Sequence, residues 1–146
     1  MSRGEFFKRA TILFGANRVE ETEDFAEYSY YYRHMNGFLH PVSLTDEHGT
    51  EAGLMASITR AEVAVIVAAL IRGSAGAPEA LTASVIDDSI TDCDSLDKTL
   101  DLICVYYSVK YNTMFVADGK FRPFEGVTMD DWLHIRNRIL ELYGRR

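Results

Sequence analysis

The sequence predicts a mainly α (α+β) fold: a single compact domain of about five helices around a buried central helix, with one β-hairpin near residues 113–124. Two observations carry this prediction. An unbroken apolar run over residues 63–71 lies between a helix-start and a helix-stop signal. The pair Asp118-Gly119 separates two β-prone segments, as in a two-residue hairpin. With 146 residues, the chain can bury enough apolar surface for residues 1–146 to form one domain without disulfides.

Composition and charge limit the classes of partner. Hydrophobic residues make up 47% of the chain and charged residues 25%, which is the balance of an ordinary globular protein rather than a disordered one. The formal net charge of −7 argues against direct binding of nucleic acid or of an anionic membrane, because phosphates attract Lys and Arg. The charge favours a basic protein surface or a cation as the partner.

The cysteines and the N-terminal stretch predict a cytoplasmic protein. Cys93 and Cys104 form no CxxC pair, so we expect reduced thiols. Glu5, Lys8 and Arg9 interrupt the first apolar stretch, which therefore lacks the apolar centre of a secretory signal.

The first predicted helix begins after Ser2. Ser2 and Glu5 have the spacing of a capping box, in which each side chain bonds the backbone amide of the other residue. Apolar residues follow at helical spacing: Phe6, Phe7, Ala10, Leu13 and Phe14. We expect a short amphipathic helix that ends at Gly15 and packs its aromatic face on the core.

Residues 19–37 fit two secondary structures. The acidic residues at 20–24 suit the first turn of a helix, where the helix dipole favours negative charge, and a helix is preferred. The tyrosines of residues 28–32 have high β-propensity and Asn36-Gly37 is a typical hairpin turn, so a hairpin is the alternative. The tyrosine rings either form a recognition surface or cover the core with their hydroxyls in water.

The central helix is predicted over residues 58–73. Thr59 and Glu62 form a second capping box, and Gly73 supplies the stop. Because the run between them is apolar on every face, this helix should be buried on all sides. A central β-strand is the alternative, since the run has several β-branched residues, but the two caps and the three alanines favour a helix. The preceding residues 44–57 read as a polar loop, and a short helical turn can follow over residues 79–86.

Three more elements complete the predicted fold. A helix over residues 96–111 should pack against the central helix. The hairpin over residues 113–124 should place Val116 opposite Phe121. A last helix should begin after Thr128. Its inward stripe is Trp132, Ile135, Ile139 and Leu142.

The common catalytic and metal-binding motifs are missing from the sequence, including GxxxxGK[ST], GxSxG and HExxH. An acidic run begins like a calcium loop at Asp92, but Asp97 replaces the glycine of the sixth position and Ile103 the acid of the twelfth. Cys93 is disfavoured as a nucleophile because neighbouring carboxylates raise the pKa of a thiol. We therefore predict no catalytic residue, no metal ligand and no cofactor.

The acidic stretches predict a non-enzymatic interaction protein that binds a basic surface of a partner protein. Inhibitors and immunity proteins work in this way, and carboxylates laid out like phosphates would mimic nucleic acid and suit a partner from nucleic-acid-handling machinery. The candidate partner-binding residues are Glu20, Glu21, Glu23, Asp24, Tyr28, Tyr31, Asp87, Asp88, Asp92 and Asp94.

Two other functions remain open on the sequence alone. A small enzyme could have a metal-carboxylate centre in the region 87–97, if the acids converge in a pocket with shifted pKa values. A homo-oligomeric structural or accessory subunit could associate through its aromatics, the tyrosines of 28–32 and Phe115. Binding of divalent ions would identify the former, and the oligomeric state would identify the latter.

Overall fold

A computed structural model describes residues 1–13, 27–33, 46–72, 89–97 and 101–143. These residues are mostly helical, as predicted, and in them no β-sheet forms beyond three isolated bridges. The elements are α1 (Arg3–Leu13), α2 (27–33), a 3₁₀ turn (Asp46–Gly49), α3 (Glu51–Met55), α4 (Arg60–Arg72), α5 (Asp101–Lys110) and α6 (Met129–Tyr143).

Helix α4 is the buried centre of the described fold. Its capping box forms as predicted: the Thr59 amide donates to the Glu62 carboxylate at 2.9 Å, and the Glu62 amide donates to the Thr59 hydroxyl at 3.2 Å. The side chains of residues 63–68 are all buried, so no face of this part of the helix meets water. Helix α5 packs against α4, also as predicted.

The tyrosine segment is helical over residues 27–33, so a hairpin strand is wrong for these residues. Tyr28 and Tyr31 are buried in the core, and the Tyr32 ring lies 5.5 Å from the Phe7 ring, centroid to centroid. The rings therefore cover the core, as one of the two alternatives predicted, because a helix presents Tyr28, Tyr31 and Tyr32 on one face. The prediction that the hydroxyls reach water is wrong for Tyr31, which is 0% exposed. The Tyr28 hydroxyl donates to the Glu5 carboxylate at 3.2 Å and joins α2 to α1.

A close approach between α1 and α2 depends on Gly4. A Cβ added at Gly4 would lie 2.3 Å from Cδ2 and 2.4 Å from Cγ of Tyr28. We expect Gly4→Ala to lower the free energy of unfolding by about 1–2 kcal/mol, because the overpacking cost exceeds the helix propensity gained from alanine. Urea unfolding measures this change in the free energy of unfolding. Gly126→Ala is the matched control, since a Cβ there meets its nearest atom at 3.9 Å and should change stability little.

The polar loop predicted for residues 44–57 is wrong over most of its described part. The structure has the 3₁₀ turn Asp46–Gly49 and then helix α3. Thr50 caps α3 by accepting a hydrogen bond from the Gly53 amide at 3.1 Å. The helix is short and mostly exposed, so it lacks the apolar periodicity that would reveal it in the sequence.

The helix predicted over residues 96–111 begins later than expected. Residues 94–96 form a turn and a bend, and α5 is helical from Asp101, with residues 98–100 outside the described part. The Leu96 amide donates to the Cys93 carbonyl at 3.1 Å, which closes a turn rather than a helix. The predicted cap at Asp94 or Ser95 is therefore wrong.

The predicted hairpin is confirmed as a small feature. Asp118 and Gly119 have φ of 53° and 73°, the signs that a type I′ turn requires. Ala117 and Lys120 exchange two backbone hydrogen bonds of 3.2 and 2.9 Å. Among the residues described, this is the only bridge of the hairpin, and the predicted pairing of Val116 with Phe121 is missing.

Helix α6 closes the described fold. The Asp131 amide donates to the Thr128 hydroxyl at 3.1 Å, which confirms the predicted cap. Trp132, Ile135 and Ile139 are buried as predicted, and Leu142 is half-buried. The Trp132 ring meets the Phe6 ring edge to face at 5.6 Å.

Some predictions lie outside the described residues or stay untested. The helical turn at 79–86, the stop at Gly73 and the turn at Asn36-Gly37 fall in undescribed ranges. The assignment of residues 1–146 to a single domain stays a prediction.

Candidate interaction surface

The described part of the acid-rich region, residues 89–97, docks on the body through apolar residues at every third position. Ile90, Cys93 and Leu96 are buried, whereas Asp94 is exposed. Asp97 is exposed as well. The segment, which we call the acidic strap (residues 89–97), therefore turns its apolar groups inward and leaves the side chains of Asp94 and Asp97 exposed. Sequence analysis assigned the acids to a surface but did not recognise the apolar spacing between them.

Asp92 anchors the acidic strap to the hairpin. Its Oδ1 accepts a hydrogen bond from the Phe121 amide at 2.9 Å, and its Oδ2 accepts one from the Arg122 amide at 2.7 Å. Burial opposes the charged form, but these backbone hydrogen bonds outweigh it and hold the pKa of Asp92 below its ordinary value. In the predicted pairing Val116 and Phe121 would face each other without exchanging backbone hydrogen bonds, and the Arg122 amide would bond the Phe115 carbonyl. Asp92 accepts from the Arg122 amide instead, so the next hydrogen-bonded pair of the hairpin does not form.

A second contact fixes the strap at the turn itself. The Thr91 amide donates to the Gly119 carbonyl at 2.9 Å, and its hydroxyl donates to the same oxygen at 3.3 Å. A Cβ at Gly119 would lie 2.9 Å from the Ser89 carbonyl oxygen, so the approach is close as well as left-handed. The strap is thus held both at the turn, by Thr91, and just after it, by Asp92.

The candidate partner-binding residues lie in different environments in the structure. Asp92 is used internally, Asp94 is exposed, and Tyr28 and Tyr31 belong to the core. The two tyrosine rings therefore supply packing rather than accessible contact area. The remaining candidates lie outside the described residues: Glu20, Glu21, Glu23, Asp24, Asp87 and Asp88.

Behind the strap lies a buried arginine that the sequence analysis missed. Arg60 is 2% exposed. Its Nε donates to the Phe121 carbonyl at 2.8 Å and its Nη2 to the Phe115 carbonyl at 2.7 Å. Its Nη1 meets Asp131 Oδ1 at 3.2 Å, and the guanidinium lies 4.9 Å above the Phe121 ring. The one sequence signal was an arginine shortly before the apolar run of α4.

Phe121 connects these two sites. Its amide is bound by Asp92 and its carbonyl by Arg60, so one peptide segment is held from both sides. The chain of contacts from Asp92 through Phe121 and Arg60 to Asp131 places the strap, the hairpin, α4 and α6 in one network. This network holds in place the backbone that carries the exposed Asp94 side chain.

Nucleophilic and metal chemistry find little support in the described residues. Burial, and then the neighbouring Asp92 carboxylate, raise the pKa of the Cys93 thiol to about 12, as the sequence analysis anticipated in direction. In the ranges that the structure describes, no three His, Cys, Asp or Glu side chains are placed to hold a metal ion. The two nearest undescribed acids, Asp87 and Asp88, keep the metal-carboxylate alternative a prediction.

Comparisons with known proteins add no family. The chain matches no protein-family model, no curated protein and no solved structure. Among the helices described, none combines the length and the apolar character needed to cross a membrane.

Proposed function

We propose that this protein is a non-enzymatic acidic interaction protein that binds a basic surface of a partner protein, of inhibitor or immunity type. The observation that carries the proposal is the anchored acidic strap: Asp92 bonds two backbone amides while Asp94 stays exposed. A carboxylate on an anchored segment loses little conformational freedom on binding, so more of its interaction energy contributes to affinity.

The stretch of sequence that contains the strap is acidic, which supports a basic partner. From position 74 to position 97 the chain has no Lys or Arg, while it has six acids. Opposite charge on a partner would speed association and fix its orientation. Carboxylates presented in this way could occupy phosphate positions on a protein of nucleic-acid-handling machinery. The proposal includes a cytoplasmic location, which the two buried thiols support.

The test begins with a pull-down of tagged protein from lysate of its native cells at low and high salt, followed by identification by mass spectrometry. We expect a basic partner that is retained at low salt and weakened by salt, because screening reduces attraction between exposed charges. The purified partner is then titrated against Asp94→Lys. Affinity should fall about fivefold, since a reversed exposed charge costs on the order of 1 kcal/mol.

Two further variants locate the effect. Glu51→Lys is the matched control, because Glu51 is an exposed acid on α3 outside the strap, and its affinity should stay at the wild-type value. Asp92→Asn should also weaken binding, because an amide cannot accept from both backbone amides and the strap loses its anchor. If Asp94→Lys and Glu51→Lys lost the same affinity for the partner, binding would depend on the net charge of the protein alone. That result would contradict a role of the strap.

A further inference from the structure

Arg122 has a backbone conformation that its own side chain and the following residue both disfavour. Its φ is 60°, in the left-handed region. Among the described residues, the other non-glycine residues with positive φ are Asn112 and Asp118, and both types tolerate this region. Arginine has no such tolerance, and Pro123 favours an extended φ of about −120° in the residue before it. Contacts around Arg122 must therefore hold it in this conformation.

A half-turn of the peptide plane between Phe121 and Arg122 accounts for this φ. Because the peptide is planar, its C=O and N–H reverse together, and the φ of Arg122 changes by about 180°. An extended φ of about −120° then becomes about +60°, which matches the value at Arg122. In the predicted hairpin the Arg122 amide would point to the Phe115 carbonyl, whereas here it points to Asp92. The peptide is thus reversed relative to the hairpin that the sequence predicts.

Both sides of the reversed peptide are held by side chains. On the N–H side, the Arg122 amide donates to Asp92 Oδ2 at 2.7 Å. On the C=O side, the Phe121 carbonyl accepts from Arg60 Nε at 2.8 Å. Arg60 Nη2 donates to the Phe115 carbonyl at 2.7 Å, so one guanidinium bridges the two segments of the hairpin. These bonds offset the unfavourable φ of Arg122 and keep the peptide reversed.

We propose that the peptide between Phe121 and Arg122 is a two-position switch that closes and opens the acidic strap. In the closed state, which is the one observed, the Arg122 amide donates to Asp92. In the open state it donates to the Phe115 carbonyl, so the hairpin gains a hydrogen-bonded pair and the strap loses part of its anchor. The switch is a property of this chain alone and does not depend on the proposed function.

Opening of the strap uncovers a thiol that can report it. Cys93, in the strap, is 2% exposed, and Cys104, in α5, is 1% exposed. A buried thiol reacts only after the segment that covers it opens, so two thiols in one chain distinguish local from global opening. The strap lacks regular secondary structure, whereas α5 packs against the buried α4, so the strap should open at the lower free energy.

Alkylation of the folded protein with iodoacetamide, followed by peptide mass spectrometry, measures both thiols at once. In the wild type, Cys93 should react at least about tenfold faster than Cys104. Asp92→Asn should raise the rate at Cys93 about tenfold and leave Cys104 unchanged, because an amide cannot accept both hydrogen bonds. Asp94→Asn is the matched control. It removes the same charge beside the thiol from an exposed position and should change the rate at Cys93 by less than about twofold.

Two substitutions at Arg122 test the peptide itself. Arg122→Gly and Arg122→Ala both remove the guanidinium, but only glycine adopts a positive φ without steric cost. Cys93 should therefore react about fivefold more slowly in Arg122→Gly than in Arg122→Ala. A strap that opened without reversal of this peptide would not be closed more firmly by a glycine.

NMR spectroscopy identifies the open state. The double variant Asp92→Ala/Arg122→Val removes the acceptor and places a β-branched residue where φ is positive, so the open state should predominate. It should show an amide–amide NOE between Phe115 and residue 122 that the wild type lacks, because the two become a hydrogen-bonded pair. Equal rates at Cys93 and Cys104 in the wild type would overturn the proposal. So would equal rates at Cys93 in Arg122→Gly and Arg122→Ala, or a double variant without this NOE.

Discussion

Replacing Arg60 with methionine should lower the free energy of unfolding by about 3–5 kcal/mol. The guanidinium satisfies the carbonyls of Phe115 and Phe121 and pairs with Asp131. Methionine fills much of the volume but donates no hydrogen bond, so two carbonyls and a carboxylate lose their partner together. Each buried group left unsatisfied costs about 1–3 kcal/mol. Urea unfolding measures this loss of stability. The slope of the transition should stay unchanged, so that the shift of the midpoint reports the change in free energy.

The conservative variant separates charge from shape at this site. Arg60→Lys keeps the positive charge, but an ammonium at the end of a flexible chain cannot reproduce the planar fork that reaches three acceptors. We expect the free energy of unfolding of Arg60→Lys to lie between that of the wild type and that of Arg60→Met. Arg33→Met, at an exposed arginine of α2, should change stability by less than about 0.5 kcal/mol. A stable Arg60→Met protein would show that the two carbonyls find other donors.

The second large effect is expected at the ion pair between α1 and α2. Lys8 Nζ lies 2.9 Å from Glu27 Oε1, and the two side chains are only 10% and 1% exposed. Lys8→Met should lower the free energy of unfolding by about 3 kcal/mol, because the Glu27 carboxylate stays buried without its ammonium partner. Chemical unfolding measures this loss.

The double variant is the decisive control for the pair. Replacing a buried ion pair by apolar residues of similar volume is often neutral or stabilising, so Lys8→Met/Glu27→Leu should recover most of the loss caused by Lys8→Met. With the single variant Glu27→Leu measured as well, the loss of the double variant minus the sum of the two single losses is the coupling energy of the pair. If the two single losses simply add, the residues act independently and the ion pair contributes little.

Local signals explain what the sequence could predict. The capping box of Thr59 and Glu62 and the apolar run after it define α4, because both signals act within a few residues. The turn at Asp118 and Gly119 was predictable for the same reason, since its geometry depends on two residues with positive φ.

Long-range contacts explain what the sequence could not predict. Asp92 lies in a run that looks like a solvated acidic loop, but its partners are amides 29 and 30 positions away. These bonds hold the strap on the hairpin and leave Leu96 in a bend rather than in α5. Lys8 and Arg60 are buried because of partners in other elements, and no periodicity within α1 or α4 marks them. Of the acidic candidate site, the sequence predicted the exposure of Asp94 but not the anchor beneath it.

The bonds of Arg60 also constrain the order in which the chain can fold. The guanidinium bonds two backbone carbonyls and one carboxylate, which lie 55, 61 and 71 positions further along the chain. During synthesis, the start of α4 must therefore wait until α6 has emerged before its arginine is satisfied. Contacts of such sequence separation slow folding, because large loops close before the contacts form. The arginine at the start of the buried helix α4 is thus satisfied only after the later segment α6 has been made.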